Sequence, residues 1–266
     1  MPRRMRVAFV GKGGSGKSTI AGTFARLLAR AGEPVLAVDS DPLPGMPYAL
    51  GIPVDDRPIP DGVVVEGPHN GPRWVLAPDL NAEGFVEQWA KVCPDGVRYL
   101  QFGNLWGHVS TLQRAQHAWS QVVRELDPNR WHLVGDLPGG TRQAMFGWGR
   151  YAEIVCVVTE PTAKSVHSAR RLLNLAGAPW APEHLLVVAN KVRGADDIAR
   201  LAERLETAPA VALPEAPEVL TGDRRGVAPL DAAPASDFVQ AVEVLLAHVR
   251  SLSDRGSQQP ATEGPA

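Results

Sequence analysis

The sequence has little cysteine and no long apolar segment. Cys93 and Cys156 are its only two cysteines among 266 residues, which excludes a disulfide framework and favours a reducing compartment. No apolar run approaches the roughly 18 residues that a membrane span requires. The run over residues 7–10, after a basic start, is too short for the core of a signal peptide. We therefore expect a cytoplasmic protein that does not associate with membranes.

The chain also lacks an excess of charge of either sign. Its 27 lysines and arginines nearly balance 29 aspartates and glutamates, giving a formal net charge of -2, which argues against a general basic coat for nucleic acid. The hydrophobic fraction of 44% is ordinary for a globular protein and excludes general disorder. We predict one domain over residues 1–252. The polar stretch over residues 253–266, with Gly, Ser, Gln and Pro, is expected to be a disordered tail.

Short apolar runs alternate with segments of helical periodicity, which predicts an α/β fold of three layers around a mostly parallel sheet. The run over 153–159 is continuously apolar, as expected of a strand covered by helices on both faces. The predicted strands are 6–10, 34–39, 131–136, 153–159, 185–190 and 210–213, with helices over 20–31, 163–176, 195–206 and 236–251.

Two central stretches show weaker patterns. Residues 51–72 are rich in proline, glycine and aspartate and predict a long loop, with a short hairpin strand at 63–66. Residues 81–127 are expected to be helical in parts. Their aromatic side chains are either ordinary core or a surface for a protein partner; they are Phe85, Trp89, Tyr99, Phe102, Trp106 and Trp119.

A glycine loop lies between the first strand and the first helix. It follows the spacing G-x-x-x-x-G-K-[ST], whose backbone N–H groups wrap a polyphosphate at a helix N-terminus. The lysine of this motif reaches the β- and γ-phosphates, and the serine hydroxyl ligates Mg²⁺. The sequence thus predicts a P-loop for a nucleotide with Mg²⁺. Its residues are Gly11, Lys12, Gly13, Gly14, Ser15, Gly16, Lys17, Ser18 and Thr19.

Aspartates follow two of the predicted strands. Asp39 and Asp41 end the second strand, and Asp136 ends the strand over 131–136. Ligands of open parallel sheets bind outside the carboxyl ends of the strands, so all three carboxylates are expected near the phosphates. An aspartate at the end of an apolar strand is typical of a group that holds Mg²⁺ directly or through water. We assign Asp136 to that position.

The early lysine of the loop carries a resemblance to a known class. The string over residues 12–18, KGGSGKS, resembles the deviant Walker A motif of the MinD/ParA/NifH class of ATPases. That resemblance implies ATP as the nucleotide and a homodimer that encloses it, with Lys12 reaching the partner's nucleotide. It also implies that Asp41 positions the attacking water and that Asp39 supports Mg²⁺ or the loop. The segment 136–140 resembles the second switch of the class, in which Gly139 or Gly140 senses the γ-phosphate.

The far end of the nucleotide has weaker candidates. Asn190 closes a predicted strand, and its amide offers a donor and an acceptor either to adenine or to a local turn. The segments 213–219 and 226–230 resemble the C-terminal part of the family. By that resemblance the backbone around Pro214 and Glu215 lines the adenine pocket.

Within the class, several stretches resemble the CooC-type accessory ATPases of carbon monoxide dehydrogenase, which assist nickel insertion. That resemblance implies a client protein, but the C-x-C metal motif of the type is absent here, and His108 and His117 are better interpreted as surface histidines. A ParA/MinD-type positioning ATPase is the alternative. Its nucleic-acid surface would be a basic patch, for which a scatter of solvated arginines is the preferred interpretation; the residues are Arg170, Arg171, Arg200, Arg204, Arg224 and Arg225. A third hypothesis is an ATP-gated protein-binding module with very low turnover.

Overall fold

The computed structural model of the chain describes residues 4–41, 43–54, 61–102, 109–139, 147–175, 178 and 181–256. Within this part of the chain, eight strands form one sheet in the order β10-β9-β8-β1-β7-β2-β6-β5, parallel throughout except for the edge pair β5 and β6. β3 and β4 form a separate antiparallel hairpin. The strands are β1 Arg6–Gly11, β2 Val35–Asp39, β3 Val64–Glu66, β4 Trp74–Leu76, β5 Lys91–Val92, β6 Arg98–Gln101, β7 His132–Asp136, β8 Ile154–Thr159, β9 His184–Val192 and β10 Val211–Pro214.

Helices cover both faces of the sheet. They are α1 Lys17–Arg30, α2 Met46–Leu50, α3 Ala82–Trp89, α4 Val109–Glu125, α5 Ala163–Leu173, α6 Ala195–Leu205, α7 Pro217–Arg224, α8 Pro229–Ala232 and α9 Asp237–Gly256. The alternation of β1 shows how the layers form. Val7 and Phe9 pack in the core that contains residues of α1 and α9, whereas Ala8 and Val10 belong to the core on the opposite face. The predicted three-layer α/β fold with a mostly parallel sheet is confirmed.

The last helix is longer than the sequence pattern predicted. We expected it to end at residue 251 and the disordered tail to begin at 253, but α9 continues to Gly256. The reason is that its buried face continues: Val249 is fully buried, Leu252 packs on the same core and Ser253 is also buried. The tail boundary was therefore placed too early. The rest of the predicted tail, from residue 257, lies outside the described residues.

The aromatic residues of the 81–127 region are largely core. Phe85, Tyr99, Phe102 and Trp119 are each at least 97% buried. Phe102 stacks on Phe85 with ring centroids 5.5 Å apart and contacts Trp119 at 5.1 Å. A client surface made of these side chains is excluded by their burial. Trp89 packs partly buried against the same core, and Trp106 lies outside the described residues.

An ionic cluster that the sequence did not reveal fastens α1 to two distant segments. Arg26 is 2% exposed and donates to both oxygens of Asp231 in α8, at 2.7 and 2.8 Å, and to Asp95 at 2.7 Å. Arg30 also lies 3.1 Å from Asp95. Paired carboxylates on a planar guanidinium satisfy its donors, which makes burial of the charge tolerable. Beside it, α1 approaches α2 closely, because a Cβ at Gly22 would lie 2.6 Å from the Cβ of Ala49.

Candidate functional site

The glycine loop joins β1 to α1 at the carboxyl edge of the sheet. Gly14 and Gly16 have φ values of 84° and 89°, in the left-handed region that favours glycine. At Gly11 a Cβ atom would lie only 2.4 Å from the carbonyl oxygen of Val158 in β8. The loop therefore needs glycine at these positions in order to curl against the sheet. The amide of Ile20 donates to the Gly16 carbonyl, so α1 begins directly from the loop.

Lys17 is buried between two carboxylates. Its side chain follows directly from the loop and is 8% exposed; its Nζ lies 3.1 Å from Asp41 Oδ2 and 3.4 Å from Asp136 Oδ1. Burial alone lowers the pKa of Lys17, but Asp136 and Asp41 together outweigh it, and the net pKa is raised. The ammonium is therefore charged and held in place.

Asp136 is fully buried at the end of β7, which lies between β1 and β2. Within the described residues, neither of its carboxylate oxygens has a hydrogen-bond partner of normal geometry. Burial raises the pKa of Asp136 to about 6, against the opposing effects of Lys17 and the Ser18 hydroxyl. Two unsatisfied buried oxygens beside a hydroxyl are a donor set that suits Mg²⁺, which takes one or two carboxylates together with phosphate and water.

Asp39, at the end of β2, uses its carboxylate to hold the following loop. Its two oxygens accept the backbone N–H groups of Asp41 at 3.0 Å and Met46 at 3.2 Å. Burial raises the pKa of Asp39 well above its usual value, and the neighbouring Asp136 carboxylate adds to the effect. Of the two roles expected for Asp39, support of the loop is the one whose contacts the structure contains.

Asp41 lies in that loop and has both oxygens engaged. Oδ2 pairs with Lys17, and Oδ1 accepts the backbone N–H of Leu43 at 3.1 Å. The loop presents apolar groups to solvent, since Leu43 is 86% exposed and Tyr48 in α2 is 48% exposed. Behind it, a Cβ at Gly45 would lie 2.8 Å from the Ser18 hydroxyl. The aspartate loop and the glycine loop are thus in direct contact.

The loop after β7 also approaches the glycine loop. A Cβ at Gly139 would lie 3.5 Å from the backbone N of Gly13. The Ser40 N–H and hydroxyl donate to the carbonyl oxygen of Asp136, at 3.0 and 2.9 Å, which ties the ends of β2 and β7 together. Gly140, the other glycine expected here, lies outside the described residues. Lys12 extends from the partly exposed side of the glycine loop, with its Nζ 3.3 Å from the Gly13 carbonyl.

Asn190 lies inside β9, not in a turn after it, because the strand continues to Val192. Its side chain is buried, and its Nδ2 donates to the Ser15 carbonyl at 2.8 Å. A Cβ at Gly16 would lie 2.2 Å from that nitrogen. The amide nitrogen therefore fixes the glycine loop, a contact that the sequence did not predict.

Lys191 is a site residue that the sequence analysis missed. Its backbone has a positive φ of 57°, and its Nζ donates to the Gly14 carbonyl at 2.7 Å and to Glu160 at 2.5 Å. The only signal in the sequence for Lys191 was its place at a predicted strand end on the ligand-binding edge.

Pro214 and Glu215, the other residues expected near adenine, follow β9 at the edge of the sheet. Pro214 ends β10 beside β9, and Glu215 forms an ion pair with Arg193 at 2.7 Å.

The other candidate groups do not converge. Cys93 and Cys156 are both buried, and burial raises the pKa of the Cys93 thiol to about 12. Within the part of the chain that the structure describes, no group of three or more His, Cys, Asp or Glu side chains could hold a metal ion, and no helix could span a membrane. His117 lies on the exposed side of α4; His108 lies outside the described residues.

The arginines considered as a nucleic-acid surface are partly neutralised. Arg170 pairs with Glu206 at 3.3 Å, and Arg200 pairs with Asp197 at 2.7 Å. Because their charges are matched locally, these side chains are better explained as solvated helix faces than as a phosphate-binding patch.

Comparisons with known proteins agree with this geometry. Residues 7–235 match the family model described as the CobQ/CobB/MinD/ParA nucleotide binding domain. The chain is 26% identical over 246 residues to the carbon monoxide dehydrogenase accessory protein CooC of Rhodospirillum rubrum, covering 87% of this chain and 91% of that protein. It is 28% identical over 212 residues to an uncharacterised ATP-binding protein of Methanocaldococcus jannaschii, covering 72% and 77% of the two chains. The septum site-determining protein MinD of Pyrococcus horikoshii, solved with Mg-ADP, superposes with a TM-score of 0.70 at 20% identity, over 96% of this chain and 99% of that one.

Proposed function

The chain belongs to the CobQ/CobB/MinD/ParA nucleotide-binding family, and on that premise we propose that it is a Mg²⁺-dependent ATPase whose homodimer closes around ATP. Hydrolysis to ADP and phosphate reopens the dimer, so the nucleotide biases a two-state switch. The observation that carries this proposal is the buried Lys17 ammonium, held between Asp41 and Asp136 directly behind a glycine loop.

Lys17 is the group that exchanges partners. The Asp41 and Asp136 carboxylates lie 3.1 and 3.4 Å from its ammonium, where we expect phosphate oxygens to bind. When ATP enters the loop, backbone N–H groups of residues 11–19 bind the phosphates and Lys17 turns to the β- and γ-phosphates. Asp41 is thereby released from its ion pair and accepts a hydrogen bond from the attacking water.

Asp136 and Ser18 are the residues that would hold Mg²⁺. The burial of Asp136 supports this assignment, since its carboxylate is fully buried and Lys17, at 3.4 Å, is expected to turn to the phosphates, which leaves a charge that a cation would compensate. When bound, the ion neutralises charge on the β- and γ-phosphates. Asp39, whose carboxylate holds backbone N–H groups, supports the site by fixing the loop that carries Asp41.

Lys12 serves the partner's nucleotide in this proposal. Its ammonium lies on the partly exposed side of the loop and contacts only the adjacent Gly13 carbonyl among the described residues, so it is available to a second subunit. The exposed Leu43 and Tyr48 flank the same site and offer apolar surface to that subunit. At the far end, Asn190 Oδ1 and the backbone around Pro214 and Glu215 are the proposed adenine contacts.

The proposed biological role is that of a cytoplasmic accessory ATPase acting on a client metalloenzyme, as the similarity to CooC suggests. The absence of a C-x-C pair separates this chain from the metal-binding members of that type. We therefore place its action in the ATP-driven dimer switch, with the client contacted by the closed form. A single domain that is completed by α9, which ends at Gly256, suffices for that action.

The test is the solution mass of the Asp41→Ala protein by light scattering, with Mg-ATP and with Mg-ADP. Removing the carboxylate that positions water is expected to trap the ATP form, so the mass should double with ATP and not with ADP. The matched control is Lys17→Ala, which should remain monomeric with either nucleotide. A protein that binds ATP yet stays monomeric would refute the dimer switch and leave a nucleotide-binding module.

A further inference from the structure

A cavity of about 330 Å³ lies between α4 and the segment 147–151, and none of its described lining residues belongs to the glycine loop or is one of the strand-end aspartates. Arg6, at the first residue of β1, borders it, whereas the glycine loop follows the other end of the same strand. With a rise of about 3.3 Å per residue, the two ends of β1 are roughly 17 Å apart. The cavity volume falls at the lower end of the range of about 300–1,000 Å³ that small-molecule sites occupy.

The rim of the cavity carries positive charge without counterions. Arg6, Arg124 and Arg150 all line it, and none of the described residues that line it is an aspartate or glutamate. Within the described residues, none of these three guanidinium groups takes part in an ion pair or hydrogen bond, in contrast to Arg26, Arg130 and Arg193 elsewhere. Uncompensated guanidinium groups around one concave surface create a local potential that attracts an anion.

The floor of the cavity is aromatic and held in place by packing. Trp119 and Trp148 line it and are only 1% and 2% exposed. The Trp119 indole N–H donates to the Trp148 carbonyl at 3.4 Å, and its ring meets Tyr151 edge-on with centroids 5.5 Å apart. Ring edges carry the positive end of the aromatic quadrupole and pack well against the face of another ring.

The packing of Tyr151 shows that the aromatic side of the cavity lies directly against the sheet. Its hydroxyl is buried, has no hydrogen-bond partner among the described residues, and occupies the space that a side chain at position 135 would need. Gly135 directly precedes Asp136 in β7. The cavity wall thus rests on the strand that carries Asp136, and it cannot collapse inward without displacing that strand.

We propose that this cavity binds a small organic anion that carries a flat aromatic ring. The guanidinium groups of Arg6, Arg124 and Arg150 pair with the carboxylate, sulfonate or phosphate of the ligand, because planar guanidinium groups match the geometry of such anions. The ring of the ligand packs on the edges of Trp119, Trp148 and Tyr151. The proposal does not rest on the proposed ATPase activity, because none of the three arginines belongs to the nucleotide site.

The test is isothermal titration of the full chain with three probes: 1-naphthalenesulfonate, 1-naphthalenemethanol and sulfate. Only the first combines ring and anion, and it should bind saturably with a stoichiometry of one per chain. The double variant Arg124→Gln/Arg150→Gln should raise its Kd at least about tenfold, the effect expected for losing charged hydrogen bonds. Arg171→Gln, an exposed arginine on α5, is the matched control and should leave the Kd unchanged.

A variant of the nucleotide site separates the two sites. Lys17→Ala should bind 1-naphthalenesulfonate as the unaltered chain does, because Lys17 does not line the cavity. Equal binding by the double variant and the unaltered chain would overturn the proposal, as would loss of binding in Lys17→Ala or the absence of saturable binding. Tighter binding of the uncharged naphthalenemethanol than of the sulfonate would refute the role of the arginines.

Discussion

Replacing Asp136 with asparagine is expected to stabilise the nucleotide-free protein while abolishing its response to Mg-ATP. The carboxylate is fully buried, and the attraction of Lys17, 3.4 Å from Oδ1, offsets only part of the cost of burying its charge. Asparagine has nearly the same shape but no charge, so it removes the cost of burying an ionised group. The same change removes the group proposed to hold Mg²⁺.

The magnitude follows from the pKa of Asp136. Burial raises it from 3.8 to about 6 in the folded protein, a difference of about two pKa units, which is on the order of 3 kcal/mol. In the folded state the Asp136 carboxyl group therefore keeps its proton at pH values at which the same group in the unfolded chain has lost it. Stability from this group is therefore greatest below pH 3.8 and falls as the pH rises toward about 6. Loss of the attraction to Lys17 reduces the gain in Asp136→Asn, so we expect about 1–3 kcal/mol at neutral pH.

The assay is urea unfolding followed by tryptophan fluorescence, for both proteins without nucleotide, between about pH 4 and pH 8. The difference in unfolding free energy cancels the titration of distant groups and reports Asp136 together with the response of its neighbours Lys17 and Asp39. It should be small at the acid end and increase in favour of Asp136→Asn as the pH rises to about 6. Asp223→Asn, which removes an exposed carboxylate on α7, is the control.

Two results would refute the reasoning. One is a difference that does not change with pH. The other is an unaltered chain that becomes more stable relative to Asp136→Asn as the pH rises, because that would mean the carboxylate is better stabilised ionised than neutral. Nucleotide adds an independent check: Mg-ATP should raise the stability of the unaltered chain by mass action, and should fail to do so in the variant.

Three further predictions concern other parts of the molecule. Arg26→Ala should lower the unfolding free energy by about 2–4 kcal/mol at neutral pH, because it leaves the Asp95 and Asp231 carboxylates without their cation. The loss of unfolding free energy should be smaller in acid, since Arg26 lowers the pKa of Asp231. A urea midpoint unchanged at neutral pH would contradict this. Lys12→Ala should retain binding of fluorescent ATP in the monomer but lose ATP-dependent mass doubling and turnover, and normal turnover would exclude a role across the dimer. Lys191→Ala should weaken ATP binding roughly threefold to tenfold by loosening the Gly14 carbonyl, whereas unchanged affinity would show that the contact is dispensable.

Much of the site could be predicted from the sequence because its parts are local. The glycine loop requires nine consecutive residues between a strand and a helix, and the strand-end aspartates follow short apolar runs. Both signals act within one or two elements, and the parallel sheet brings their carboxyl ends together. The structure accordingly places Lys17, Asp41 and Asp136 in contact, at distances that spacing alone could not supply.

The strand β6 and the true end of α9 could not be predicted, because the residues that determine them lie elsewhere in the chain. β6 carries the polar Arg98 and Gln101, and it is a strand because it pairs with β2, some sixty residues earlier. α9 extends to Gly256 because the core continues beneath it, which a local view of a polar C-terminus does not show. Tertiary packing overrides local composition in both cases.

By itself, the sequence determined the class of the protein: an α/β nucleotide-binding chain with a glycine loop, a second lysine and three aspartates at strand ends. Only the tertiary structure decided how these groups share their charges. The Asp39 carboxylate binds the backbone of its own loop, and Asp41 pairs with Lys17. Asp136 is fully buried, with Lys17 Nζ 3.4 Å from its Oδ1. The physical reason is that burial and pairing depend on neighbours far away in the chain, such as Ser15 with Asn190 and Arg26 with Asp231. No local pattern of residues encodes those distances.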